Sequence, residues 1–420
     1  MMTKELARQQ LPLWRETMKR RPENAEVVQN CGSCLFTLGE TDEAMRCFLL
    51  AADIDHRSAS IPMNYGMALK DMGRFSESAK QCFLAYTSDP DQACNGANYT
   101  TLGWAESLLR NGNWRDAWPI YNDAMYGTKE GARNLFQIPD EIPYWRGEPL
   151  DPEDHMLLVL GEGGTGDRIN YCRWLPELDK RGIKWLHFPD NAPPIPGLLS
   201  LFQRVPWLKN KFPEQGFKYS HWTTSFALPA AFDATPTSIP RYPSQFVADP
   251  NLRERFIIKK PDDKPVYGLI WGANELFEGG MKFRSLLESQ AMRLVLSTAD
   301  LCHWVNCWKG DAHGTNHRLG EPVLNPKFEN WEETAALLAG MDGVVTTDNG
   351  AGWLAQALGL RCSVLLSGNS DWKYLRGTEK SYWSDTARLF RNDGQGFENA
   401  VTKCITALRN GEGVGRVPSK

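Results

Sequence analysis

The feature that most constrains the fold is a repeat of 34 residues in the first 130 positions. Small and apolar residues recur at this spacing, which is the signature of a stacked repeat architecture. The matching pairs are Gly32 and Gly66, Leu35 and Leu69, Gly39 and Gly73, Phe48 and Cys82, and Ala51 and Ala85. A third unit follows after a short insertion, with Ala105, Leu108, Gly112, Ala117, Tyr121 and Ala124. Since one such unit cannot cover its own apolar face, neighbouring units must stack.

Small residues where two helices cross, with larger residues between them, are typical of the tetratricopeptide repeat (TPR). We predict an all-α TPR domain over residues 1–135, in which residues 3–21 form an opening half-repeat. About three repeats make a short arm. Such an arm either binds a partner or acceptor in its groove or supports the next domain, and the sequence leaves both interpretations open.

The pattern changes after a proline-broken linker, which we assign to residues 136–154. Short apolar runs then alternate with amphipathic segments, which predicts parallel sheets covered by helices on both faces. Two such series predict two Rossmann-like lobes, residues 155–260 and 261–420. Strands are expected at 155–160, 183–188, 266–271, 302–308, 343–347 and 363–366, and helices at 168–181, 283–292, 331–340, 353–359 and 396–409. The region 191–260 is rich in proline and aromatic residues and is not ordered by this pattern.

The first lobe carries a glycine-rich turn after its first strand, where ligands of parallel α/β sheets bind. The turn is GEGGTGD, and the positions expected to face an acceptor substrate are Gly163, Gly164, Thr165 and Gly166. Glycines allow a substrate to approach the backbone closely. Asp167 ends the turn at the start of a helix. It is a candidate general base for an acceptor hydroxyl, and the alternative is that it only caps the helix.

A second turn, with the sequence TTDNGAGW, occupies the corresponding place in the second lobe. Backbone amides at Asn349, Gly350 and Ala351 would form an anion site suited to a diphosphate at a helix N-terminus. Asp348 is a candidate ligand for sugar hydroxyls or, alternatively, another cap. Trp353 follows in the same helix. The turn lacks the Gly-Lys-Ser/Thr of a Walker loop and the G-x-G-x-x-G of a dinucleotide site.

A diphosphate also favours cationic side chains. Lys282 and Arg284 follow the first strand of the second lobe and are the candidates for this role. The alternative is that both belong to an ordinary solvated loop.

Other features argue against metal, membrane and nucleic-acid chemistry. Cys31 and Cys34 have the C-x-x-C spacing but no second pair to complete a zinc site, and Asp53 and Asp55 form a D-x-D inside the helical repeats. We therefore expect no metal or other cofactor. The formal net charge of −4 gives no general attraction to nucleic acid or anionic lipid. No apolar run approaches about 18 residues and no signal sequence is recognisable, so we expect a cytoplasmic protein.

Several segments resemble bacterial TPR-linked glycosyltransferases of the ADP-heptose:lipopolysaccharide heptosyltransferase type. They keep the family's order along the chain. The matching segments are Tyr144–Leu150, Gly161–Pro176, Gly268–Gly272, Asp348–Gly359, Asp371–Leu375 and Thr386–Arg391. The resemblance covers roughly residues 144–178 and 266–405, together with the layout of repeats followed by a transferase.

The resemblance implies a GT-B fold and an inverting, metal-independent transfer of sugar from a nucleotide-diphospho-sugar to a hydroxyl acceptor. It implies Asp167 as the base, with the donor phosphates held by the amides of residues 349–351 and by Lys282 or Arg284. A glycan, a protein side chain and a hydroxylated nucleobase are all possible acceptors. The family histidine is replaced here by Trp353, which has no charge but is able to stack on a sugar or base. This replacement keeps open a second hypothesis, in which the chain is a non-catalytic scaffold that binds a protein partner.

Overall fold

The computed structural model contains two compact units, Met1–Leu135 and Phe136–Lys420. It describes residues 3–88, 99–126, 136–190, 194–214, 216–241, 246–273, 284–309, 318–368, 370–392 and 396–415. Within these ranges, no helix combines the length and the apolar character needed to cross a bilayer.

The described part of the first unit is entirely helical. Its helices are α1 (Lys4–Arg20), α2 (Ala25–Leu38), α3 (Thr41–Ile54), α4 (Ser60–Asp71), α5 (Phe75–Ser88), α6 (Tyr99–Arg110) and α7 (Trp114–Tyr126). Consecutive helices pack against each other along this series. The repeated glycines lie where they cross: a β-carbon on Gly32 would lie 3.0 Å from Cβ of Cys47, and one on Gly66 would lie 2.9 Å from Sγ of Cys82. The helical repeat predicted from the 34-residue spacing is confirmed.

The second unit begins with a three-stranded parallel sheet. Its strands are β1 (Leu157–Leu160), β2 (Trp185–Phe188) and β3 (His221–Thr224), in the order β2-β1-β3. The helices in this part of the chain are α8 (Thr165–Tyr171), α9 (Leu175–Lys180), α10 (Leu198–Gln203), α11 (Leu228–Ala231) and α12 (Pro250–Arg255). All four residues of β1 are buried, as expected for the central strand of a sheet covered on both faces.

A five-stranded parallel sheet forms the second lobe. Its strands are β4 (Val266–Ile270), β5 (His303–Asn306), β6 (Gly343–Thr346), β7 (Cys362–Leu366) and β8 (Ala387–Arg391), in the order β5-β4-β6-β7-β8. The helices are α13 (Glu288–Leu296), α14 (Trp331–Leu338), α15 (Gly350–Ala357) and α16 (Glu398–Arg409). The fold is therefore a TPR-type helical unit followed in the chain by a GT-B-type pair of Rossmann-like lobes, as predicted.

The helix predicted over 168–181 begins earlier and is interrupted. It starts at Thr165, and a 3₁₀ turn at Cys172–Trp174 separates α8 from α9. The proline at position 176 stands in the first turn of α9, where its missing N–H is tolerated. The early start places Asp167 inside the first turn of α8, and Gly164 is the residue that precedes the helix.

The segment between the repeats and β1 packs against the first lobe. The Trp145 backbone N–H donates to the carbonyl of Trp222 at 2.8 Å, and Tyr144 makes a parallel bridge to the same residue. The Trp145 ring is buried and meets the Phe232 ring edge-on, at 6.3 Å between centroids.

Candidate active site

The first turn is shaped by close backbone contacts. A β-carbon on Gly161 would lie 2.3 Å from the Pro189 carbonyl oxygen, and Gly163 has a φ of +75°. The Arg168 guanidinium donates to the carbonyls of Gly163 and Pro189 at 3.3 and 3.1 Å, which fixes the turn against the end of β2. Gly163 and Gly164 remain exposed.

Asp167 is anchored but accessible. Its Oδ2 accepts a hydrogen bond from the Gly164 N–H at 3.2 Å, and its Oδ1 accepts one from Nζ of Lys373 at 3.2 Å. The side chain is 26% exposed. A carboxylate offers about four acceptor positions, so two hydrogen bonds leave room for a hydroxyl. Asp167 therefore does stabilise the start of α8, but this contact does not occupy the whole carboxylate.

The second turn is capped by Asn349. Its Oδ1 accepts from the Gly352 N–H at 2.8 Å, and its Nδ2 donates to Oγ1 of Thr346 at 3.1 Å. A β-carbon on Gly352 would lie 2.5 Å from the Thr346 hydroxyl. Gly350 and Ala351 are partly exposed in the first turn of α15, where backbone amides have no acceptor within the helix. Asn349 thus acts first as a helix cap, and the two following amides are the ones available to an anion.

Asp348 is buried in an ion pair with Arg284. Its Oδ2 accepts from Nε and an Nη of the guanidinium at 3.1 and 2.9 Å, and its Oδ1 accepts from the Tyr374 hydroxyl at 3.3 Å. Asp348 itself is only 5% exposed, whereas the Arg284 side chain is 43% exposed. The Asp348 carboxylate raises the pKa of Arg284 above its ordinary value and outweighs the effect of burial. Arg284 therefore presents a permanent positive charge beside the second turn.

Within the second unit, the two turns meet at their glycines. A β-carbon on Gly166 would lie 2.9 Å from Cα of Gly350 and 3.0 Å from Cδ1 of Trp353, and one on Gly350 would lie 3.2 Å from the Gly166 nitrogen. Helices α8 and α15 therefore approach at their N-terminal turns. This arrangement brings the candidate base and the candidate diphosphate amides to the same place.

Lys373, which the sequence interpretation did not select, lies between two carboxylates. Its Nζ lies 3.2 Å from Oδ1 of Asp167 and 3.0 Å from Oδ2 of Asp371, and the side chain is 2% exposed. Burial lowers the pKa of Lys373, but the carboxylates of Asp371, Asp167 and Asp348 outweigh burial and raise it overall. The lysine is therefore charged. The only signal in the sequence was its position in the segment Asp371–Leu375.

Trp353 packs inside the protein. The side chain is buried, with 3% exposed. Its ring stacks on Tyr374, with 5.4 Å between centroids and 19° between planes, and meets Trp383 edge-on at 6.4 Å. It therefore supports the second turn from the α15 side and presents little surface to a ligand.

The other candidate cation of the second lobe, Lys282, lies outside the described residues. A cavity of about 380 Å³ lies at the opposite, amino end of strands β4, β6 and β7, where Lys260, Tyr267 and Arg361 line it. It contains none of the predicted site residues.

Comparison with known proteins gives structural similarity without a sequence match. No protein-family model matches the chain, and no curated protein matches it. Similar solved structures include a MamA mutant (22% identity, 27% of this chain and 63% of that chain, TM-score 0.24). They also include a Thermobaculum terrenum O-GlcNAc transferase mutant (12% identity, 88% and 80% of the two chains, TM-score 0.28). A third is the E. coli heptosyltransferase WaaC with ADP-2-deoxy-2-fluoro heptose (15% identity, 61% and 100% of the two chains, TM-score 0.38). This chain thus spans less than two thirds of the MamA chain.

Proposed function

We propose that the protein is a glycosyltransferase that moves a sugar from a nucleotide-diphospho-sugar to a hydroxyl acceptor without a metal and with inversion. The observation that carries this proposal is the contact between Gly166 and Gly350, which puts a partly exposed carboxylate beside a helix N-terminus. A base and an anion site are the two parts that such a transfer needs.

In the proposed reaction, Asp167 accepts the proton of the acceptor hydroxyl. The acceptor oxygen forms a bond to the anomeric carbon from the face opposite the leaving group, and the bond from that carbon to the phosphate oxygen breaks. The electron pair of that bond leaves with the nucleoside diphosphate. The amides of Gly350 and Ala351 and the guanidinium of Arg284 stabilise the negative charge that develops there.

Asp167→Asn provides the direct test. We expect it to lower sugar transfer by about 10²–10⁴-fold, which is the usual contribution of a general base, while nucleotide binding persists. Asp179→Asn is the matched control, because Asp179 also pairs with a lysine, at 3.0 Å from Nζ of Lys211. Asp167→Asn with full activity would refute the base assignment.

A second experiment screens a panel of candidate donors for binding and hydrolysis. The panel contains UDP-N-acetylglucosamine, GDP-mannose, ADP-heptose and the three corresponding free nucleoside diphosphates. Transfer to water is measured as release of nucleoside diphosphate, so that no acceptor has to be known. We expect at least one donor to raise the melting temperature, because a ligand that binds only the folded state stabilises it.

A non-catalytic scaffold is the second candidate, and the helical unit favours it. Four apolar side chains are 46–50% exposed at two equivalent positions of successive repeats, namely Leu49, Phe83, Leu50 and Leu84. Exposed apolar residues of this kind suit a protein partner. If no member of the donor panel raises the melting temperature, the scaffold is favoured over the enzyme.

A further inference from the structure

Lys373 belongs to a short segment that contacts both glycine-rich turns. Lys373 reaches Asp167 of the first turn, and the adjacent Tyr374 reaches Asp348 of the second. The segment is itself fixed, since the Lys373 N–H donates to Oδ1 of Asp371 at 3.0 Å. The lysine is thus held where its charge acts on the candidate base.

The surroundings of Lys373 contain two equally close carboxylates. A buried ammonium needs a paired negative charge, and one carboxylate would satisfy this need. The second becomes necessary if the first is neutralised. Asp167 would be neutralised when it takes the proton of an acceptor, and Asp371 would then still balance the lysine.

We propose that Lys373 is a positioning residue that keeps Asp167 ionised and correctly oriented, and that Asp371 is its counterion while Asp167 carries the proton. This inference rests on the proposed glycosyltransferase function. Oδ1 of Asp167 is held by Lys373 and Oδ2 by Gly164, which fixes the plane of the carboxylate. Once the proton leaves Asp167 for solvent, the original pairing returns.

Other charged and titratable groups face Lys373 from the elements around it. The carboxylate of Asp348 and the guanidinium of Arg284 act on it electrostatically, and the Tyr171 ring on α8 lies 5.7 Å from its Nζ. Asp348 and Arg284 pair with each other, and the guanidinium groups of Arg284 and Arg168 also act electrostatically on Asp167. The Tyr171 hydroxyl is buried, and burial raises its pKa well above its ordinary value, so it stays neutral.

The test compares two variants with opposite expected effects. Lys373→Met removes a positive charge beside Asp167, so ionisation requires a higher pH, and the acid limb of kcat/KM for donor hydrolysis should move to higher pH. Asp371→Asn removes a negative charge, so the acid limb should move to lower pH. At neutral pH we expect Lys373→Met to lower kcat by up to about 10²-fold, because the carboxylate is no longer held in place, with little change in the donor KM. Lys373→Arg should restore part of that loss.

Lys211→Met is the matched control, because Lys211 pairs with Asp179 at 3.0 Å and lies 4.3 Å from the Trp185 ring centroid. It should leave the pH profile unchanged. Donor-dependent thermal stabilisation shows whether each variant is folded. If Lys373→Met does not fold, Asp371→Asn decides alone. The role of Lys373 would be overturned if the acid limb of kcat/KM stayed in place in a folded Lys373→Met protein. It would also be overturned if the acid limb shifted in the same direction in both variants.

The outcome also separates this inference from the proposed function. If Asp167→Asn is inactive and Lys373→Met keeps the wild-type pH profile, the transferase proposal stands and Lys373 is rejected as a positioning residue. Active Asp167→Asn would reject both.

Discussion

At the scale of single residues, two glycines determine how closely the site is assembled. Gly166 and Gly350 lie on different lobes of the second unit, and a side chain on either would meet the backbone of the other. Backbone atoms in a first helical turn cannot move aside as a flexible side chain can. A substitution here should therefore act on the distance between the proposed base and the proposed anion site.

Gly166→Ala tests this contact. The added β-carbon would lie 2.9 Å from Cα of Gly350, and overpacking of this kind costs about 1–3 kcal/mol. The better helix propensity of alanine, about 1 kcal/mol, offsets only part of it. We expect a lower free energy of unfolding in urea and slower donor hydrolysis. Gly320→Ala is the control, because its nearest heavy atom would be 3.9 Å away; equal losses in both variants would contradict the explanation.

The sequence was sufficient to select Asp167 but not Lys373. Asp167 follows a glycine-rich turn at the end of an apolar strand, and this local pattern has a known meaning. Lys373 stands 206 residues further along the chain, and its proposed role rests on its burial and its two partner carboxylates. Neither property leaves a pattern in the surrounding residues. Trp353 is a similar case, since only packing shows that Tyr374 covers its ring.

At the scale of elements, strands were predicted where apolar runs are continuous. β1, β4, β6 and β7 are buried cores of their sheets, and each was expected within a few residues. β3 was missed because its residues, His-Trp-Thr-Thr, form no apolar run and lie among prolines and aromatic residues. β8 was seen only as a motif, Thr386–Arg391, because arginines at 388 and 391 interrupt its apolar pattern.

Asn349→Ala tests the cap of α15. The substitution removes the acceptor of the Gly352 N–H, and loss of such a cap costs about 1 kcal/mol. Since the same turn carries the proposed diphosphate amides, nucleotide binding should weaken as well. Asn24→Ala is the control: Asn24 caps α2 by accepting from the Val27 N–H at 3.1 Å, in the helical unit. We expect it to lower stability without changing nucleotide affinity, measured by calorimetric titration, and equal affinities in the two variants would count against the anion site.

At the scale of the whole molecule, the described residues of the proposed site all belong to the second unit, Phe136–Lys420. Gly66→Val changes only the first unit, where a β-carbon at this position already lies 2.9 Å from Sγ of Cys82 and 3.3 Å from its backbone nitrogen. We expect overpacking to lower the free energy of unfolding of the helices by about 1–3 kcal/mol. Scanning calorimetry should show this as an unfolding transition at lower temperature. Ser76→Val, at an exposed position of α5, should leave that transition in place. Donor-dependent stabilisation and donor hydrolysis should persist in both variants, because the helices supply none of the proposed catalytic groups. If only Gly66→Val lost donor hydrolysis, the helical unit would instead have a part in catalysis.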